Sequence, residues 1–118
     1  MEDSILNTIK SLLGINEDIN AFDGELIVHI NSVLSILRQL GIGPPDGFAI
    51  SGESDSWDEF IGDNPIRLNA VKTYVYMRVK LLFDPPSSSS AEKAFDETIK
   101  EFEWRLNAEG EGLSDGLL

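Results

Sequence analysis

Apolar residues recur at spacings of three and four along most of the chain, and the breaks in that rhythm divide it into five expected helices. In EDSILNTIKSLLG the apolar positions are Ile5, Ile9, Leu12 and Leu13, with Asp3 or Ser4 as the cap and Gly14 as the stop. Asp23 is expected to cap GELIVHINSVLSILRQL, whose Leu26, Ile30, Val33, Leu37 and Leu40 share one face before Gly41 ends it. Residues 41–56 then lose all periodicity and become dense in Gly, Pro, Ser and Asp, which predicts a long irregular loop with a brief extended piece at Phe48–Ile50. The following SWDEFIGD reads as one helical turn. Its Ser56 and Glu59 stand at capping-box spacing, where serine and glutamate satisfy free backbone N–H groups reciprocally.

Asn64-Pro65 opens a fourth helix, because proline at the first helical position gives up only an N–H that is unpaired anyway. Thr73–Val79 is rich in β-branched and aromatic residues, so a strand is the competing reading. The Leu68–Val71–Val75–Leu82 spacing favours a helix to about Phe83, stopped by Asp84-Pro85-Pro86. Four serines follow, and Ser89 with Glu92 offers a second capping box for a last helix over about 91–108. The pattern predicts an all-α bundle of four to five helices. It forms a single domain over 1–108, followed by a flexible acidic tail over 109–118.

Three helical faces need more than a core to explain them. On the last helix Phe95, Ile99, Phe102 and Leu106 form the buried stripe, while Trp104 falls opposite, among Lys93, Glu97 and Lys100. Trp104 either stacks on the Lys100 stem or anchors a partner. The second helix carries Val28, Asn31, Ser32, Ser35 and Gln39 away from its core stripe, without one charge. Such a face packs against a helix, of the same domain or of a neighbouring subunit. On the fourth helix the apolar arc is wide: Val71, Val75 and Leu82, flanked by Leu68, Tyr74, Val79 and Leu81, with Tyr76, Met77 and Phe83 outside. Arg78 points into the middle of that stripe. A buried arginine needs a carboxylate or carbonyl partner, and its planar fork suits interfaces. The alternative is a stem laid over the core with its head in water.

Composition narrows the function. The chain has 118 residues, enough for one domain that buries roughly 65% of the surface its unfolded form exposes. It has no cysteine, so thiol chemistry and disulfides are excluded. An acidic start and no long apolar run lead us to expect a soluble, cytoplasmically made protein without a membrane partner. Its net charge is −12, from 21 acidic and nine basic residues, which argues against a basic nucleic-acid surface. His29, at the edge of an apolar stripe with Glu25 one turn before it, reads as packed or interfacial rather than as a base. Asp46, Glu53, Asp55, Asp58, Glu59 and Asp63 cluster without a basic neighbour. Their spacing matches no EF-hand, and a solvated acidic loop is the plainer reading. No catalytic, phosphate-binding or metal-ligand motif is present, so neither an enzyme nor a cofactor is expected.

The segments FDGELIVHINSVLSILRQLGIGPPDGF, WDEFIGD, VKTYVYMRVKLLFDPPSSS and IKEFEWRLN, in that order, resemble the head–tail connector (adaptor or head-completion) proteins of long-tailed bacteriophages and prophages. The resemblance spans Ile5 to Asn107. It implies a helical subunit of the virion neck that assembles as a ring, typically dodecameric, beneath the portal protein. Such a ring extends the DNA channel and presents a surface to a stopper or tail-completion protein, and DNA passes through without specific binding. An acidic channel lining would repel phosphates. On this reading Arg78, Tyr76, Phe83, Asp84, Pro85, Pro86, Trp104, Ser32 and Ser35 are candidates for the subunit or portal interface. The six clustered carboxylates are candidates for the channel or loop surface. A different class remains open: an acidic DNA mimic that occupies the basic groove of a nucleic-acid-handling partner.

Overall fold

The computed structural model describes residues 4–62 and 65–115, with side chains as far as Ala108. Asp3, the alternative first cap, and Asn64 before Pro65 lie outside the described residues. The described chain is all-α: α1 (Ile5–Leu13), α2 (Asp23–Gln39), α3 (Trp57–Ile61), α4 (Pro65–Phe83) and α5 (Ser89–Asp115). Thr73–Val79 is helical, as the longer spacing required, because burial on several sides outweighs a weak β preference.

α4 is the hub. It packs against α2, α5 and α1, and α1 also touches α2. Val71, Tyr74, Val75, Met77 and Val79 are buried on α4, meeting Leu26, Ile30, Val33, Leu34 and Leu37 of α2, Ile5 and Ile9 of α1, and Ile99 and Leu106 of α5. Each such side chain contributes about 1.5–3 kcal/mol relative to an exposed position. Two expectations fail here for one reason. Met77 is buried although it lies outside the expected stripe, and Leu82 is 54% exposed although it lies within it. With neighbours on several sides, the buried arc extends round the helix to Met77. In the last turn nothing covers Leu82.

The caps are local and specific. Ser4 Oγ accepts from the Asn7 N–H at 3.1 Å, and Gly14, in the left-handed region at φ 83°, closes α1. The expected capping box of α3 is present, Ser56 and Glu59 each accepting the other's backbone N–H. Asp23 is not the cap of α2 but its first residue. Phe22 stands at the cap position with no side-chain hydrogen bond. The Asp23 carboxylate faces Lys10 instead, Nζ 2.9 Å from Oδ1, where the contact is ionic without hydrogen-bond alignment. Lys10 is only 1% exposed and also donates to the Glu17 carbonyl at 3.1 Å. An ammonium buried that deeply requires a counter-charge, and this need outweighs a cap. Leu12, expected in the α1 core stripe, is exposed instead.

The expected Ser89–Glu92 capping box does not form: Ser88 Oγ accepts from the Ala91 N–H at 3.1 Å, and Ala91 has no side-chain acceptor to reciprocate, which leaves a simple serine cap. α5 begins at Ser89 and continues helically to Asp115, past the expected end at 108, and residues 116–118 lie outside the described chain.

The irregular stretch 41–56 is pinned at several points. The Asn31 carboxamide clamps Ile50, donating to its carbonyl at 3.0 Å and accepting its N–H at 2.7 Å. The extended piece at Phe48–Ile50 therefore pairs with a side chain, and it belongs to no strand. Arg38 Nε donates to the Pro45 carbonyl at 2.9 Å, and Ile42 and Ile50 are buried. Gly43 adopts φ 96°, and a Cβ there would stand 2.4 Å from Cε1 of the buried Phe60 ring. Gly43→Ala should therefore lose about 1–3 kcal/mol in denaturant unfolding. Gly52→Ala, which meets open space at an ordinary φ, should change stability by less than about 0.5 kcal/mol.

Candidate assembly surfaces

The residues singled out from sequence fall into three groups. The first braces α4 to α5. Glu103 Oε2 accepts from the Tyr74 hydroxyl at 2.8 Å and from Arg78 Nη1 at 3.2 Å, and the guanidinium lies 5.9 Å from the Tyr74 ring centroid. Arg78 thus finds its carboxylate within its own subunit, with its side chain about one-third exposed. Glu103 was missed at the level of sequence, although it sits at the edge of the Phe95–Leu106 stripe, where a partner for Arg78 has to be. Burial, aided by the bond to the Glu103 carboxylate, pushes the Tyr74 hydroxyl well above the usual tyrosine range. Tyr76 packs edge-on to Phe95 at 6.4 Å, and Phe83 edge-on to Phe22 at 5.4 Å. The turn beyond is surface. Asp84 and Pro85 are exposed, Pro86 is half-buried, and Lys80 reaches both the carboxylate and the carbonyl of Asp84.

The second group faces outward. On α2, Val28 (63% exposed), Ser32, Ser35 and Gln39 form a stripe that no helix covers among the described residues, so of the two alternatives the same-domain contact is not met there. Asn31, beside the stripe, is the member engaged within the subunit, on Ile50. His29 is half-buried with Nε2 3.3 Å from Glu25 Oε2. On α5, Trp104 is 73% exposed, while the Lys100 ammonium sits 3.3 Å from Asp96, one turn further back. α2 and α5 each pack chiefly on α4, and the uncharged stripe and Trp104 are exposed on these two separate helices.

The third group is the acidic stretch, and much of it serves local structure. Asp55 accepts from the Ser51 and Gly52 N–H groups at 2.7 and 3.2 Å, Glu59 completes the α3 capping box, and Glu53 accepts from the Asn7 side chain at 3.3 Å. Asp46 and Asp58 are exposed, and Asp63 lies outside the described residues. Among the described residues no three His, Asp or Glu side chains converge as metal ligands, and no helix is long and apolar enough to cross a membrane.

The family model described as phage connector protein matches residues 5–112, nearly the full length. The chain belongs to the phage connector protein family. The connector is therefore a structural protein of the phage head–tail region, as the resemblance implied. No curated protein sequence and no solved structure matches it.

The Tyr74 environment yields a pH prediction. Its hydroxyl pKa is raised in the folded connector, so its contribution is fully present below the unfolded value near 10 and declines as pH rises toward the folded value. Tyr74→Phe should cost about 1–2 kcal/mol at neutral pH. Its stability should also fall less steeply above about pH 10 than the parent's, measured by denaturant unfolding at each pH.

Proposed function

We propose that this connector is the ring-forming adaptor of the phage neck: it docks on the portal protein, extends the DNA channel and offers a surface to the stopper or tail-completion protein. The reading rests chiefly on two exposed, chemically distinct faces carried by separate helices, the uncharged stripe of α2 and the Trp104 side of α5. A ring needs such a pair, because each copy must give its neighbour a different surface from the one it receives. Net charge supports it too. At −12 the connector repels DNA phosphates, so a genome can pass close by without sticking. Tyr76, Phe83 and Arg78 act within the subunit in this reading and position the exposed Asp84-Pro85-Pro86 turn, which serves as a portal-facing element. The exposed carboxylates Asp46 and Asp58 belong to the channel or loop surface.

Light scattering over a concentration series tests the reading. A discrete species near twelve times the 13.0 kDa chain mass is expected, alone or once portal protein is added. A monomer under both conditions overturns it. Ser35→Glu, which sets a carboxylate on the uncharged stripe of an already acidic protein, should abolish that species while shifting monomer stability by less than about 0.5 kcal/mol.

A further inference from the structure

Beside the end of the uncharged stripe, where α2 gives way to the irregular stretch, lies an open pocket of about 400 Å³ lined by Arg38, Gly41, Gly43, Pro44 and Pro45. Its walls are unusual for this protein. Two proline rings and an arginine form them, and the arginine is held in place by its Nε–H bond to the Pro45 carbonyl. Gly47 lies beside the same side chain: a Cβ added there would stand at ordinary contact distance, 3.6 Å, from Arg38 Cδ. Flat apolar rings beside a fixed guanidinium plane suit the face of an aromatic side chain.

The matching group is the most exposed aromatic among the described residues, since Phe22, 42% exposed, already packs on Phe83. Trp104 is 73% exposed on the outer face of α5, whereas the other tryptophan, Trp57, is wholly buried and donates to Thr8 Oγ1 at 3.0 Å. Trp104 lies on α5 and the pocket at the end of α2, two elements that pack chiefly on α4, and the exposed indole is available to a second copy's pocket. Charge favours the same pairing. Copies at −12 repel one another. They approach most easily where the neighbour offers Arg38 and the uncharged Ser32–Ser35–Gln39 face, and where the approaching helix offers an indole whose π-face attracts a cation.

We infer that Trp104 of one connector inserts into the Arg38–Pro44–Pro45 pocket of the next, a head-to-tail contact with the α2 stripe lying along its flank. This inference rests on the ring-forming reading above and names the contact that would carry it.

The protein is free of cysteine, so the geometry can be tested by placement. Lys100→Cys stands one turn from Trp104 on the same face, and Asp46→Cys adjoins the pocket without altering its walls. The double variant, treated with a short bismaleimide at concentrations where light scattering shows assembly, should give a ladder of covalent oligomers, and neither single variant should. Tryptophan emission should shift to the blue on assembly, a change assignable to Trp104 because Trp57 is already buried. Trp104→Ala, at an exposed position, should keep the parent's melting temperature and raise the concentration needed for assembly roughly 30-fold. Assembly with unchanged emission, no ladder and full tolerance of Trp104→Ala overturns this contact and leaves the ring standing. No assembly of the parent at any concentration, with or without portal, overturns both.

Discussion

The fold depends on the burial of α4. Five of its residues, from Val71 to Val79, are withdrawn from water, and they spread over far more of the helix circumference than one neighbour can cover. The only way to satisfy such a helix in a small chain is to surround it, and α1, α2 and α5 do so. From this the rest follows. The helices on its flanks spend their apolar faces inward, and their outward faces are left to whatever the sequence places there. The wide arc thus needs no second subunit to explain it. Any contact between copies belongs to the outer faces of the helices that surround α4.

Burial alone does not fix how these helices sit, and three polar contacts across long sequence separations supply the registration. Lys10 with Asp23 ties α1 to the start of α2, the Asn31 carboxamide holds the irregular stretch at Ile50, and Glu103 joins α5 to Tyr74 and Arg78 of α4. Each joins elements that apolar packing would allow to slide. A buried ammonium or a backbone N–H that must find a partner tolerates far fewer arrangements than a leucine does. Trp57 adds a fourth fastening, lying wholly buried in α3 with its indole N–H on Thr8 of α1.

Helix existence was legible because periodicity, glycine stops and proline breaks are local signals. The Ser4 cap, the Ser56–Glu59 box and the Pro65 start needed nothing from the rest of the chain. What failed was whatever depended on a distant partner. Asp23 satisfied every local rule for a cap, yet a lysine thirteen positions earlier took its carboxylate. Leu82 and Met77 exchanged roles because burial on α4 is set by several helices at once, which a single helical wheel does not represent. Arg78 announced its need for a carboxylate, but only the packing of α5 showed that Glu103 meets it within the subunit. The uncharged character of the α2 face was plain in the sequence, whereas its exposure was not, since spacing alone does not distinguish a neighbouring helix from a neighbouring molecule.

The proposed ring meets a physical difficulty: copies carrying a net charge of −12 repel at long range, and screening at physiological salt removes the interaction only beyond about 8 Å. The arrangement of its charges eases that difficulty. Several carboxylates are engaged locally, Asp55 and Glu59 on backbone N–H groups and Glu103 on Arg78, whose positive charge offsets its own. The α2 stripe from Val28 to Gln39 carries no charge at all, so it can approach another copy without stripping water from ions. In the proposed ring, acidity serves to keep DNA from adhering, while the neutral stripe and the exposed indole remain available for close contact. Exclusion of nucleic acid and attraction between subunits are thus assigned to different residues in that ring, so that one small acidic domain can perform both.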